Sequence, residues 1–307
     1  MGVICFEVDT IPDLSLNKYQ TLADTGIEGV LKRHESFLRQ WHGIGMAGGI
    51  SLHLLYMFIP QLPAGERLKL YFMLQGSLEE LKMTEPLLHN SPLSDFYTFK
   101  YVKNPHNVLF KSGATLLKKE AIADINNPLT GKPTSVYYVP HWEVNDQCRL
   151  YDLFRIMKTV SESYSPSSAC AFRVDIYPAS TSQDTRNKFN PILKSLRGEN
   201  DIKLMNNTQS IKTDNDARDV CSEYEDWMTC IETTPHFRVN IHAFADTLFK
   251  TKVLLNAAGA EALNEGDFSI APIKPDSNGH FSILSRMNGS PEDYTLKPNQ
   301  ITLSSWP

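Results

Sequence analysis

His34-Glu35 opens like the helix of a zinc protease, in which two histidines four residues apart share a metal and the carboxylate between them serves as base. The position for the second histidine holds Leu38, and one ligand beside one carboxylate is not a site. The nearest approach to a phosphate loop is Thr130-Gly131-Lys132-Pro133-Thr134. There Asn126 stands where the first glycine is needed. Pro133 displaces the hydroxyl residue and removes an N–H that a phosphate would meet. The stretch therefore reads as a turn, not a Walker loop. No GxSxG elbow names a nucleophilic serine.

Among the scattered histidines, His242 is the one placed for acid–base work. It sits on the polar face of an alternating strand, and Asp175 and Glu223 are the carboxylates that folding would have to bring to it. The plainer reading is a surface histidine. Cys221 and Cys230 lie on one helix about 180° apart, so they share no metal. The basic run from Lys100 to Lys119 carries Lys100, Lys103, Lys111, Lys118 and Lys119 and no acid. With Tyr97, Phe99 and Tyr101 beside it, this run is a candidate nucleic-acid contact, with rings to stack on bases and lysines for phosphates. The same lysines equally protect an edge strand from pairing with another sheet. The acidic run Asp214–Asp226 is the wet face of a helix, and Glu223 and Asp226 are its candidate contacts for a protein partner. No catalytic residue, metal or cofactor is assigned from these patterns.

Positioning falls to a mixed set of elements. Ser51–Ile59 and Leu68–Leu74 are apolar, β-rich runs joined by a polar turn. A helix follows Gly76, and Tyr97-Thr98-Phe99-Lys100-Tyr101 closes a ββαβ unit. Before it, Val3–Val8 reads as a short strand and Thr21–Trp41 as a helix, interrupted by Gly43, Gly45, Gly48 and Gly49. Gly43–Pro60 lacks Asp, Glu, Lys and Arg, but its glycines and β-rich second half make it a buried strand and not a membrane span. Val108–Phe110 and Ser135–Val139 read as strands around the turn-rich segment 126–134.

Beyond that segment the pattern is β-α-β-α-α-β-α-β. In it, Ala171–Tyr177 and Phe237–Ala243 alternate as half-covered strands, and Asp216–Thr233 is an amphipathic helix. Asp246 is read as the cap of the next helix. The expected fold class is α/β in the α+β sense, mixed sheets with helices packed on them. The expected domains are 1–125 and 135–307, with 126–134 as linker.

At 307 residues, 41% hydrophobic and 21% charged, the chain has the composition of a globular protein. A net charge of -5 argues against nucleic-acid binding by the whole surface. Five cysteines with no CxxC pair fit free thiols in a reducing, cytoplasmic setting. The N-terminus has neither a secretory nor a myristoylation pattern.

Several phrases, taken in order, resemble the region before the motor in HerA/FtsK-type ATP-binding proteins, including conjugation and type IV secretion ATPases. They are ISLHLLYMFIP followed by ERLKLYFMLQGSLEEL, VPHWEVNDQCRLYDLFRIM leading into FRVDIYPAS, and PHFRVNIHAFAD. The resemblance spans about Gly49–Phe268 and carries no functional residue across. It implies a non-enzymatic assembly or regulatory module of a nucleic-acid-translocating ATPase, acting in defence or DNA processing. The partner would be a motor, as a separate subunit or as the continuation of the polypeptide. DNA would be reached through the complex, and the assembly would be an oligomer with no membrane contact. The alternatives are an enzyme with a site assembled from distant residues and a nucleic-acid binder using the aromatic-basic strand.

Overall fold

A computed structural model of the chain describes residues 2–10, 26–103, 108–119, 121–126, 133–138, 150–163, 167–180, 186–187, 190–191, 193–194, 197, 215–262, 267–275, 277–281 and 295–296. They form two compact units. The first takes Met1–Lys118, Trp142–Ala179 and His236–Pro307, and the second takes Lys119–His141 and Ser180–Pro235.

The first unit is built on one sheet. In chain order its strands are β1 (Gly2–Thr10), β2 (Ser51–Phe58), β3 (Leu68–Gly76), β4 (Thr98–Tyr101) and β5 (Ser112–Lys119). After the hairpin strands β6 (Ala121–Asn126) and β7 (Pro133–Tyr138), which belong to the second unit, come β8 (Cys170–Ala179), β9 (His236–Ala245), β10 (Asp267–Pro272) and β11 (Thr295–Leu296). The order across the sheet is β10-β5-β9-β8-β2-β3-β1-β4, and β11 adds to β9. From β5 to β4 every neighbouring pair is antiparallel. Helices α1 (Gly26–Gly48), α2 (Leu78–His89), α3 (Leu150–Glu162) and α5 (Leu248–Ala262) accompany it. This is the α+β arrangement, and the ββαβ unit stands in it as β2, β3, α2 and β4.

The sheet departs from the expected sequential domains. β2 pairs with β8 from Leu52↔Ile176 to Phe58↔Cys170, so one sheet draws strands from both sides of 126–134. The described ends of that segment belong to one antiparallel ladder, since Asn126 of β6 and Pro133 of β7 are cross-strand partners, while residues 127–132 lie outside the described residues. Hairpin loops and linkers use the same Asn, Pro and Gly chemistry, and pairing alone tells them apart.

One face of the sheet carries Leu52, Leu54, Tyr56, Phe72, Phe172, Val174, Ile176, Val239 and Ile241. They share a core with Phe37, Leu38 and Trp41 of α1, Leu153 and Met157 of α3, and Leu254 and Leu255 of α5. The other face is buried too, around Cys5, Leu55, Met57, Tyr71, Met73, Phe110, Phe244 and Phe281. β8 and β9 are therefore not half-covered, although their sequences alternate apolar and polar. Arg173, Asp175 and His242 are buried by pairing with one another. β2 is buried along its whole length, as a central strand should be. No described helix is long and apolar enough to cross a membrane.

α1 runs through Gly43 and Gly45 to Gly48, beyond the expected stop. Gly49 adopts φ +61, and Ile50 N–H donates to Gly45 O at 3.1 Å, closing a Schellman-type end. Gly45 is also a point of contact, because a Cβ there would lie 2.4 Å from Pro178 Cγ of β8. Helix α5 is capped by Thr247, whose hydroxyl accepts from Lys250 N–H, while Asp246 pairs with the Lys250 ammonium at 3.0 Å. The expected strand Val108–Phe110 is an isolated bridge between Phe110 and Phe281.

In the second unit, β6 and β7 form the two-stranded sheet, and α4 (Asn215–Thr233) buries Cys221, Tyr224 and Met228 at helical spacing. Arg186 and Arg197 pair with Glu232 and Glu225 of that helix at 3.1 and 2.7 Å.

Candidate functional site

The buried polar residues of the second sheet face converge on Asp175. Alternation puts Arg173, Asp175 and Tyr177 on one side of β8. Register sets His53 of β2 opposite Asp175 and His242 of β9 opposite Arg173, so all reach one place. His53 Nδ1 lies 2.6 Å from Asp175 Oδ1, and Arg173 Nη2 donates to Oδ2 at 2.9 Å. Arg173 Nε is 2.8 Å from Oδ1, and His242 Nε2 is 3.1 Å from Oδ2. On the far side of the imidazole, His53 Nε2 lies 2.9 Å from Ser51 Oγ. The His53 ring meets Tyr177 edge to face, and the Arg173 guanidinium sits over the Phe244 ring.

Asp175, His53 and Arg173 are fully buried, while Ser51 keeps 7% exposure. Burial alone would push the Asp175 carboxyl up. The Arg173 guanidinium, the adjoining His53 ring and the hydrogen bonds from His242 and His53 outweigh it and hold the group well below the usual carboxylate range. Arg173 and Asp175 balance one another's charge, which is what makes this burial tolerable. Burial and the neighbouring carboxylate push the Tyr177 phenol up, so it remains a neutral O–H at physiological pH. Among the described residues no group of three or more His, Cys, Asp and Glu side chains is placed to hold a metal.

Of the expected acid–base trio, His242 and Asp175 meet, and His242 is buried, not on the surface. Glu223 lies on α4 in the second unit, and its side chain is outside the described residues. Ser51, His53 and Arg173 are not singled out by any sequence motif. Their only signal is two i, i+2 polar pairs inside apolar strands, Ser51/His53 and Arg173/Asp175, which the β2–β8 register alone joins.

The aromatic-basic strand divides. Tyr97 and Phe99 are buried, with the Tyr97 hydroxyl 2.9 Å from His34 Nε2 and Phe99 edge-on to Phe72, so neither ring is open to a base. Lys100, Tyr101, Lys103 and Lys111 are exposed. His34 is buried against Tyr97, while Glu35 is part-exposed and pairs with Arg39. Asp226 is exposed on α4. Cys5 and Cys170 are buried thiols, both pushed up to about 12 chiefly by desolvation, which makes them poor nucleophiles. No family model and no curated protein matches the chain.

Proposed function

We propose that this chain is an assembly or regulatory module of a HerA/FtsK-type nucleic-acid-translocating ATPase, working in the cytoplasm beside a motor that supplies the Walker loop. One observation carries the reading. The phrases that bear the resemblance are far apart in sequence, yet those forming β9, β8, β2 and β3 become four consecutive strands of the sheet. They thus belong to one continuous body, as a shared module requires. The candidate contact surfaces are the acidic outer side of α4, with Asp226, and the outer side of α2, where Met83 and Leu87 are exposed one turn apart.

The test mixes the purified chain with the Walker-loop ATPase encoded nearest to it. The two should co-elute, and the motor's DNA-stimulated ATP hydrolysis should change in the presence of the chain. Robust ATP hydrolysis by the chain alone, or separate elution with an unchanged motor rate, would sink the proposal.

A further inference from the structure

We propose that Ser51, His53 and Asp175 form a nucleophile, base and positioning relay that hydrolyses small carboxylic esters through an acyl-Ser51 intermediate. The connectivity is that of a serine nucleophile's triad: hydroxyl to one ring nitrogen at 2.9 Å, the other ring nitrogen to a carboxylate at 2.6 Å. A neutral His53 that donates from Nδ1 to Asp175 presents the Nε2 lone pair to the Ser51 hydroxyl. A structural role for the carboxylate does not require this further bond, because Arg173 nitrogens already lie within 2.9 Å of both of its oxygens.

Exposure runs in the right direction along the relay. Asp175 and His53 are fully buried, and Ser51 at the other end keeps 7% exposure. Ser51 is the first residue of β2, just beyond the positive-φ turn at Gly49, so a reactant approaches at the end of a strand. Gln75, itself buried, is directly opposite Ser51 on β3. The small exposed fraction of Ser51 restricts the substrate to a small acyl group.

The chemistry balances with water as the only co-reactant. Ser51 Oγ attacks the ester carbonyl as its proton passes to His53 Nε2. The C–O bond to the alcohol breaks, and the alcohol leaves with that proton. Water then attacks the acyl-serine, again giving a proton to Nε2. The carboxylic acid departs, and Oγ recovers its hydrogen. Asp175 positions the ring and is not protonated in the cycle.

The full chain is treated with a fluorophosphonate probe, followed by intact-mass and peptide analysis, and with p-nitrophenyl acetate. The expected result is one adduct on the peptide containing Ser51. In Ser51→Ala the adduct is absent and ester turnover falls by at least ~100-fold. Ser51→Cys serves if the alanine variant does not fold: a thiol beside His53 should be alkylated by iodoacetamide faster than Cys5 or Cys170. Absence of an adduct on the folded chain, labelling that survives Ser51→Ala, or an introduced thiol no faster than the buried ones overturns the proposal. Those outcomes leave the motor-module reading standing, since it is decided by co-elution.

Discussion

At the scale of single residues, this protein buries polar groups and makes each one depend on a partner. Removing either member of a buried ion pair such as Arg173–Asp175 typically costs about 3–5 kcal/mol, because the survivor is left charged and desolvated. Asp175 is thereby tied to pH. Its folded carboxyl is depressed, so its contribution is complete above the ordinary Asp range and is lost only as pH falls through the folded value. His34 acts at milder pH. Burial lowers it from 6.5 to about 3, and the Tyr97 hydroxyl faces its Nε2. Between those values the unfolded chain binds a proton that the folded chain refuses, so stability falls as the solution is acidified below 6.5. The loss from pH 7 to pH 5 should be about 2 kcal/mol from this one ring. Urea unfolding of the wild type and of His34→Gln at both pH values isolates it, since other histidines cancel in the difference. Equal losses in the two proteins would mean that the His34 ring takes up its proton without unfolding.

At the scale of elements, the three glycines Gly43, Gly45 and Gly49 look alike in sequence and have different structural reasons. Gly43 lies inside α1, and a Cβ there would meet nothing within 4 Å, so alanine should stabilise by about 0.5–1 kcal/mol through helix propensity. Gly49 also has open space, but its φ of +61 makes alanine cost about 1 kcal/mol. Gly45→Ala meets Pro178 Cγ at 2.4 Å and Ile50 O at 2.7 Å, and should cost about 1–3 kcal/mol or more because backbone must move. Unfolding free energies of Gly43→Ala, Gly49→Ala and Gly45→Ala should fall in that order, and a neutral Gly45→Ala would deny the close approach of α1 to β8. This series also shows what is legible in the sequence. The ββαβ unit, β8, β9 and the amphipathic α4 follow from local period. The end of α1 does not, because a glycine that breaks a helix and one that lets a helix touch a strand are the same letter. β5 is hidden for a related reason: Gly113 and two terminal lysines mask an alternation that buries Ala114 and Leu116. The Asp175 cluster is legible only as two unrelated polar pairs, since register between residues 122 positions apart leaves no local trace.

At the scale of the whole molecule, the sheet of nine described strands belongs to one unit, while the chain leaves it in two separate stretches that make up the second. The ladder between β8 and β9 answers for the longer stretch. It runs unbroken from Ala171↔Phe244 to Ala179↔His236, so the residues on either side of the excursion are direct cross-strand partners. Such partners have Cα atoms about 4.5–5.5 Å apart, a gap that a two-residue turn closes. The end of β8 is also held from within the first unit, since His42 Nε2 of α1 lies 2.8 Å from Ala179 O. The excursion 180–235 is therefore, in topology, a long insertion at a hairpin tip, where insertions are best tolerated. Replacing 180–235 by Asn-Gly should leave a chain that keeps strand-rich circular dichroism and unfolds in urea in one cooperative step. Closing the long loop should even reduce the entropic cost of pairing β8 with β9, though only logarithmically with the length removed. A trimmed chain that aggregates or melts without cooperativity would show that the sheet is not autonomous, and with it would go the view of β9, β8, β2 and β3 as a self-sufficient body.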